Sequence, residues 1–206
     1  AALTELVGCC FRCIERCNIP YSADVLVLGC GASGNLMAQL AKGTSAGTVT
    51  VVDCQPSKLA RVAPRGISTV LADPNDPSVH EAVLRERFPH GFDCIIDTIG
   101  NAELVERSIS LLKAGGTFAN YSFPTTEKKT VSLDMGLFVR KELNYIGTTF
   151  QHHSFSKCLA AMSTGKIDPE LAISHIFPLD RYFEALDMNW ADPTSIKVVI
   201  EPNPES

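Results

Sequence analysis

Three glycines in the run Gly29-Cys30-Gly31-Ala32-Ser33-Gly34 close an apolar stretch from Val25 to Leu28 and open a helix-like stretch from Asn35 to Lys42. Such residues act through their backbone. Gly29 and Gly31 permit a tight turn and let a pyrophosphate approach bare N–H groups, with Ala32 and Ser33 in the same candidate turn, and Gly34 lets the helix lie close against the strand. Nineteen residues beyond Gly34, the run Val49-Thr50-Val51-Val52 ends in Asp53, where a carboxylate can hydrogen-bond the two hydroxyls of an adenosine ribose. An acid there also selects between cofactors. A 2′-phosphate within about 4 Å of a carboxylate meets repulsion of about 4 kcal/mol per unit charge at an effective dielectric near 20, so NAD is expected over NADP. Lys58, five residues after Asp53, offsets part of that repulsion.

The elements that must position these residues alternate between strand and helix. Val25–Leu28 is a continuous apolar run of the kind found in buried parallel strands. Ile67–Leu71 is a short strand ending at the turn-rich Asp73-Pro74-Asn75-Asp76-Pro77, and Val79–Phe88 has helical spacing. Phe92–Asp97 reads as a strand. Asn101–Leu112 reads as a helix through Leu104, Val105, Ile109 and Leu112, stopped by Lys113-Ala114-Gly115-Gly116 before a strand at Thr117-Phe118-Ala119. Leu143–Phe150 supplies a sixth strand and Phe155–Ser163 a helix. The alternation predicts an α/β fold, a doubly wound parallel sheet of about six strands with helices on both faces, which binds ligands at the carboxyl ends of its strands. A helix near Asp180 and a strand over Ser195–Glu201 follow that complete set, so this last strand is expected in a neighbouring domain's sheet, one that this chain does not contain.

The chain has 206 residues, 45% of them hydrophobic, a formal charge of −5 and no long basic run. One core-forming domain over 1–206 is the expectation, with no electrostatic case for nucleic acid or an anionic membrane. No apolar stretch reaches the roughly 18 residues of a membrane span, so the chain reads as soluble and cytoplasmic. It begins at Ala1 without a methionine, directly in a helix-like pattern, so a trimmed piece of a longer protein is the expectation. The eight cysteines read as reduced thiols, since a chain of this size needs no disulfide framework. Cys10, Cys13 and Cys17 fall on one helical face and read as core rather than as metal ligands, whose structural sites are usually four-coordinate. His152-His153 reads as a polar loop, and Cys30 as a small residue beside the pyrophosphate.

Several further segments, taken in order, resemble the cofactor-binding and C-terminal portion of the medium-chain, zinc-dependent alcohol and polyol dehydrogenases, a Rossmann-type family. Glu5-Leu6-Val7-Gly8 is similar to a Glu-Pro-Leu-Ala segment without its proline. Asp53 with Lys58 resembles the family's ribose-binding pair, Asp97-Thr98-Ile99-Gly100 its Asp-x-x-Gly, and Ala114-Gly115-Gly116-Thr117 its Pro-Gly-Gly-Thr turn. His175-Ile176-Phe177-Pro178-Leu179 with Glu184-Ala185 resembles its His-x-Phe-Pro-Leu and following helix, and Lys197 its late pyrophosphate-contacting cation. The resemblance implies NAD as cofactor, bound by Gly29, Gly31, Ala32, Ser33, Gly34, Asp53, Lys58, Thr98, Gly100 and Lys197, with the nicotinamide over Tyr121, Ser122, Gly147 and Thr148. It implies an alcohol or polyol substrate in the complete enzyme. The family's zinc ligands precede the point where this chain begins, so zinc and catalytic residues are expected outside it, in a catalytic domain that 1–18 and 173–206 would abut. Of the residues near the family's zinc, only Glu5 has a counterpart here.

Two other classes compete with that reading. The Val25–Gly31 segment also resembles the first motif of adenosylmethionine-dependent methyltransferases, but Val27 stands where those enzymes usually carry an acid, and the glycine rhythm differs. A non-catalytic nucleotide-binding module shares every glycine argument. The sixth strand, outermost in the usual order, predicts a two-fold homodimer through the Leu143–Phe150 edge.

Overall fold

The computed structural model describes residues 2–203; the calls on Ala1 and on the last residues of 1–206 lie outside that span. Helix α1 (Thr4–Cys17) leads into strand β1 (Asp24–Leu28), and strand and helix then alternate through α2 (Ala32–Lys42), β2 (Thr48–Asp53), α3 (Pro56–Val62) and β3 (Ser68–Leu71). The second half continues with α4 (Pro77–Arg87), β4 (Phe92–Asp97), α5 (Ala102–Ile109), β5 (Leu112–Asn120), α6 (Met135–Lys141), β6 (Asn144–Gly147) and α7 (Phe155–Ser163). The six strands form one parallel sheet in the order β3-β2-β1-β4-β5-β6. Strand order therefore reverses between β1 and β4, and a doubly wound sheet binds ligands beside that switch.

The apolar run of β1 is continuous because both of its faces are covered. Val25 and Val27 pack into a core with α1, α2, α3 and α7, while Leu26 and Leu28 pack with α4 and α5 on the other face. Cys10, Cys13 and Cys17 lie in the first of these cores, as their spacing predicts. Polar side chains fix α2 as well. Gln39 Nε2 donates to Asn35 Oδ1 at 2.8 Å and to Asp168 O at 3.0 Å, Gln39 Oε1 accepts from Asp168 N at 2.7 Å, and Asn35 Nδ2 donates to Leu171 O at 3.1 Å. These bonds anchor the segment leading out of the sheet onto α2, and leave the two amides paired in a buried site, as burial requires.

That segment enters a separate unit, the strands β7 (His175–Pro178) and β8 (Val198–Glu201) paired in parallel and joined through helix α8 (Tyr182–Ala191). The last strand thus stands outside the main sheet, but the expectation that its sheet lies outside this chain is corrected: its partner is β7 of the same chain.

Two further sequence expectations are corrected, and one element stands where none was expected. The helix read from Asn101 to Leu112 ends at Ile109, and Leu112 already pairs with Phe92, so Lys113–Gly116 lies inside β5 and not in a helix stop. Apolar spacing cannot separate the two, because Leu112 is buried either way; Lys113 Nζ, bound to Asp24 Oδ2 at 2.7 Å and Asp93 Oδ2 at 2.8 Å, holds this part of β5 across the sheet. Strand β6 is four residues, shorter than the Leu143–Phe150 run, and occupies the sheet edge. The apolar pattern gives no expectation for helix α6, which is only seven residues long; Leu137 and Phe138 pack, partly buried, against the second core, and Asp134 marks its start, its Oδ1 accepting from Leu137 N.

Candidate nucleotide-binding site

The glycines of the turn have separate physical reasons. Gly29 has φ +93°, and a Cβ there would lie 2.7 Å from Thr98 Oγ1. A Cβ on Gly34 would lie 2.0 Å from Gly29 O, so α2 can approach the turn only through a glycine. Gly31 is different. Its φ is −65°, open to any residue, and a Cβ would meet nothing within 4 Å. Nothing in the chain itself requires a glycine at 31; open space in front of a backbone at the start of a helix does fit a pyrophosphate. No side chain caps this helix start, so its first N–H groups, at Ala32, Ser33 and Gly34, are free to face an anion.

Asp53 closes the turn from the side. Its Oδ2 accepts from Cys30 N at 2.6 Å and its Oδ1 from Gln55 N at 2.8 Å. A carboxylate has about four acceptor positions, so both oxygens retain capacity for ribose hydroxyls. Cys30 itself turns into the core: it is fully buried, its thiol donates to Lys58 O at 3.4 Å, and burial followed by the Asp53 charge pushes it up to about 12. Its side chain is thus part of the core, while its N–H is held by Asp53. The Lys58 side chain is near enough to help hold the Asp192 carboxyl down, after the bonds Asp192 receives from Thr194 and the His175 charge.

At the switch between β1 and β4, Thr98 ties the strands together, its N–H donating to Leu28 O at 3.0 Å and its hydroxyl at 2.7 Å. Thr98 thus has a structural task before any ligand arrives. Gly100 has φ +78°, and its N–H donates to the buried Asp97 carboxylate, whose proton affinity burial raises against the Ile99 and Gly100 bonds. Tyr121 and Ser122 follow the end of β5, half-buried, with Tyr121 against Ser33 and Cys10 and its phenol pushed up by burial. Gly147 ends β6 and its carbonyl accepts from Arg16. Thr148 is buried, and its Oγ1 has no hydrogen-bond partner among the described residues. Lys197 is exposed, and its carbonyl receives Ser174 N and His175 N. The site residues Gly29 through Asp53, Thr98 and Gly100 therefore converge at the strand ends, while Lys197 belongs to the β7–β8 unit.

A cleft of about 410 Å³ extends this convergence, walled by Leu28, Val52, Ala72, Ile99 and Leu104 with Asp53 on its edge. Sequence reasoning gave no site role to the polar residues that line it, among them Asp73, His80, Asn101, Glu103 and Arg107. The Asp73-Pro74 turn after β3 is the signal that points to Asp73; a lone helical histidine gives none for His80. A larger apolar groove of about 510 Å³ lies at the far end of α2, by Leu40 and Gly43, away from the glycine turn.

A family model described as zinc-binding dehydrogenase matches residues 32–164. The chain belongs to the zinc-binding dehydrogenase family. D-arabinitol dehydrogenase 1 of Uromyces fabae is 27% identical over 205 residues, covering 98% of this chain and 58% of the relative. A putative zinc-binding dehydrogenase of Sinorhizobium meliloti 1021, solved bound to NADP, superposes with a TM-score of 0.85 at 28% identity, over 98% of this chain and 58% of that one. A short chain alcohol dehydrogenase from E. coli CFT073, complexed with NADH, shares the fold with a TM-score of 0.85 at 18% identity, over 96% of this chain and 58% of that one. This dehydrogenase-family chain thus spans under three-fifths of the length of these relatives.

The family name raises the question of metal. Among the described residues no group of three or more His, Cys, Asp or Glu is arranged to hold an ion. In the Cys13, Cys17 and Cys94 cluster, hydrogen bonding with Cys17 and burial push the Cys13 and Cys94 thiols up, and the same bonds pull Cys17 down. Glu5 accepts from the Cys9 thiol at 3.0 Å, and burial with that bond pushes Cys9 up to about 11. These donors do not fit a zinc site, and no step through zinc is assigned to them. No described helix is long and apolar enough to cross a membrane.

Proposed function

We propose that this chain is the NAD(H)-binding half of a zinc-dependent alcohol or polyol dehydrogenase. The observation that carries the reading is the open space before Gly31, set between the uncapped start of α2 and the Asp53 carboxylate. Gly31, Ala32, Ser33 and Gly34 would receive the pyrophosphate on backbone N–H groups, with Gly29 shaping the turn and Lys197 supplying a cation from the β7–β8 unit. Asp53 would bind the ribose hydroxyls with Lys58 beside it. Thr98 and Gly100 would border the ribose on the nicotinamide side, and Tyr121, Ser122, Gly147 and Thr148 would seat the carboxamide, with Thr148 Oγ1 gaining the partner it lacks. The bound nicotinamide supplies the hydride acceptor. The residues of this chain orient it and keep its face in register with a substrate held elsewhere.

The choice of NAD over NADP rests on the Asp53 carboxylate; Asp73 and Glu103 also line the cleft, and the cation among its lining residues, Arg107, is paired with Glu81. The relative from S. meliloti, solved with NADP, makes this preference a point to measure. Substrate and zinc ligands would come from the part of the enzyme outside this chain, and 173–206 would abut it together with 1–18. The β7–β8 unit carries Phe183 and Trp190, 78% and 83% exposed on α8, apolar surface of the kind that seeks cover. A homodimer through the β6 edge and a cytoplasmic location complete the proposal.

Calorimetric titration with NADH, NADPH and adenosylmethionine tests the reading. NADH should bind in the micromolar range or tighter and NADPH more weakly. Saturable binding of adenosylmethionine without any response to NADH would favour the methyltransferase class instead.

A further inference from the structure

The cleft contains one buried polar side chain that the cofactor reading leaves without a task. His80, on α4, is 5% exposed and lines the cleft, and its Nδ1 is buried with no hydrogen-bond partner among the described residues. Buried polar atoms are rarely left unpaired, and an orphan at the wall of a ligand cleft points to a partner that arrives with the ligand. Burial lowers the proton affinity of the ring, outweighing the pull of Glu81 and Asp76. At neutral pH it is therefore an uncharged imidazole with one donor and one acceptor. The flanking charges are otherwise engaged: Arg107 pairs with Glu81 at 2.5 Å, and Asp76 caps the start of α4 through Ser78 N at 3.0 Å.

We propose that His80 is a specificity-determining residue that hydrogen-bonds the edge of the adenine base. The inference rests on the reading of this cleft as the seat of the adenosine half. Asp53 borders the cleft at the end of β2, where it meets the ribose, and the apolar walls from Leu28, Val52, Ile99 and Leu104 suit the faces of a flat base. A base between such walls gains contact area but no orientation; an edge-on hydrogen bond supplies it. The torsion that turns an imidazole is broad and roughly two-fold, and a half-turn exchanges Nδ1 with the Cδ2 edge of the ring, so the orphaned nitrogen can be re-aimed without moving α4. A neutral ring suits an uncharged base, whose edges offer both donors and acceptors.

The test is a set of titrations with NADH, AMP and reduced nicotinamide mononucleotide on the wild type, His80→Leu and His80→Gln, with the melting temperature of each ligand-free protein. His80→Leu should weaken AMP and NADH by about fivefold, the loss of one hydrogen bond, and leave the mononucleotide unchanged. His80→Gln, which keeps a donor and an acceptor, should recover much of the affinity. Ligand-free His80→Leu should melt no lower than wild type, because an orphaned nitrogen has been replaced by an apolar group. Unchanged AMP affinity in His80→Leu overturns the inference, as does parallel loss of AMP and mononucleotide binding with a lower melting temperature, which marks a structural role. Failure of the wild type to bind either AMP or NADH instead overturns the cofactor reading, and no variant is needed to see it.

Discussion

Alanine at Gly31 and alanine at Gly34 should have opposite effects on stability, although both alter the same glycine motif. At Gly31 the new methyl meets no atom within 4 Å and φ is −65°, so the native conformation suits alanine. Replacing glycine at a compatible site stabilises by about 0.4–1 kcal/mol through the unfolded chain, which for a domain of this size raises the melting temperature by about 1–4 °C. The same methyl occupies the space assigned to the pyrophosphate. Losing a charge-assisted hydrogen bond there costs about 2–3 kcal/mol, so NADH should bind about 30- to 150-fold more weakly. At Gly34 the methyl would sit 2.0 Å from Gly29 O and 2.8 Å from Gly29 C. Both are backbone atoms of a turn already tied to β2 through Gly29 N to Val52 O at 2.8 Å, so α2 must move. Overpacking of this kind costs about 3 kcal/mol, and the melting temperature should fall by about 6–12 °C. Differential scanning fluorimetry with NADH calorimetry on the two variants decides the matter. A Gly31→Ala protein that binds NADH like wild type would refute the assignment of that space, and one that melts as low as Gly34→Ala would refute the claim that the space is open.

Four other outcomes are expected. Asp53→Asn should narrow the preference for NADH over NADPH by about tenfold or more, since the removed charge is worth up to about 4 kcal/mol against a 2′-phosphate; an unchanged ratio in paired titrations would remove the ribose role of Asp53. Lys113→Met should lower stability at pH 7 by about 1–2 kcal/mol, because Asp24 and Asp93, both partly buried, lose their shared cation. Burial pulls the Asp24 carboxyl up, but its bonds from Lys113 and Thr48 win and hold it below its ordinary value. That stability is present above the unfolded pKa and is lost as pH falls through the folded one, so the two proteins should converge in urea denaturation near pH 3. Sedimentation should show a dimer, and monomer alone at roughly tens of micromolar would count against pairing of the β6 edges. The 206-residue chain should respond to NADH in a thermal-shift assay yet catalyse no alcohol- or polyol-dependent NAD reduction with or without added zinc; steady turnover would place catalytic residues inside it.

Most strands of the sheet were legible because each is a continuous apolar run between turn residues, and a strand buried on both faces has no other way to read. What failed was every element whose position is set by contacts distant in sequence. Leu112 has the helical period of Leu104, Val105 and Ile109, yet its place is decided by Phe92, twenty residues upstream in the neighbouring strand. Helix α6 is seven residues long and meets the core only through the partly buried Leu137 and Phe138, too short a pattern to announce it. Strand β6 stops at Gly147 because the chain must then turn back toward α1, where Ser154 Oγ reaches Gly8 O at 3.1 Å.

The site shows the same division at finer scale. Three glycine letters look equivalent in the sequence, and only their surroundings show that Gly29 is set by a left-handed turn, Gly34 by an approaching carbonyl and Gly31 by nothing in the chain. A residue with no internal reason to be glycine carries more information about a ligand than its two neighbours do, since the fold already accounts for them. His80 follows the same logic in reverse: its type and spacing look ordinary for a helix, and its buried, unpaired nitrogen becomes visible only when the cleft around it is assembled. In both cases the evidence for a ligand is a local mismatch between what the fold needs and what the residue offers.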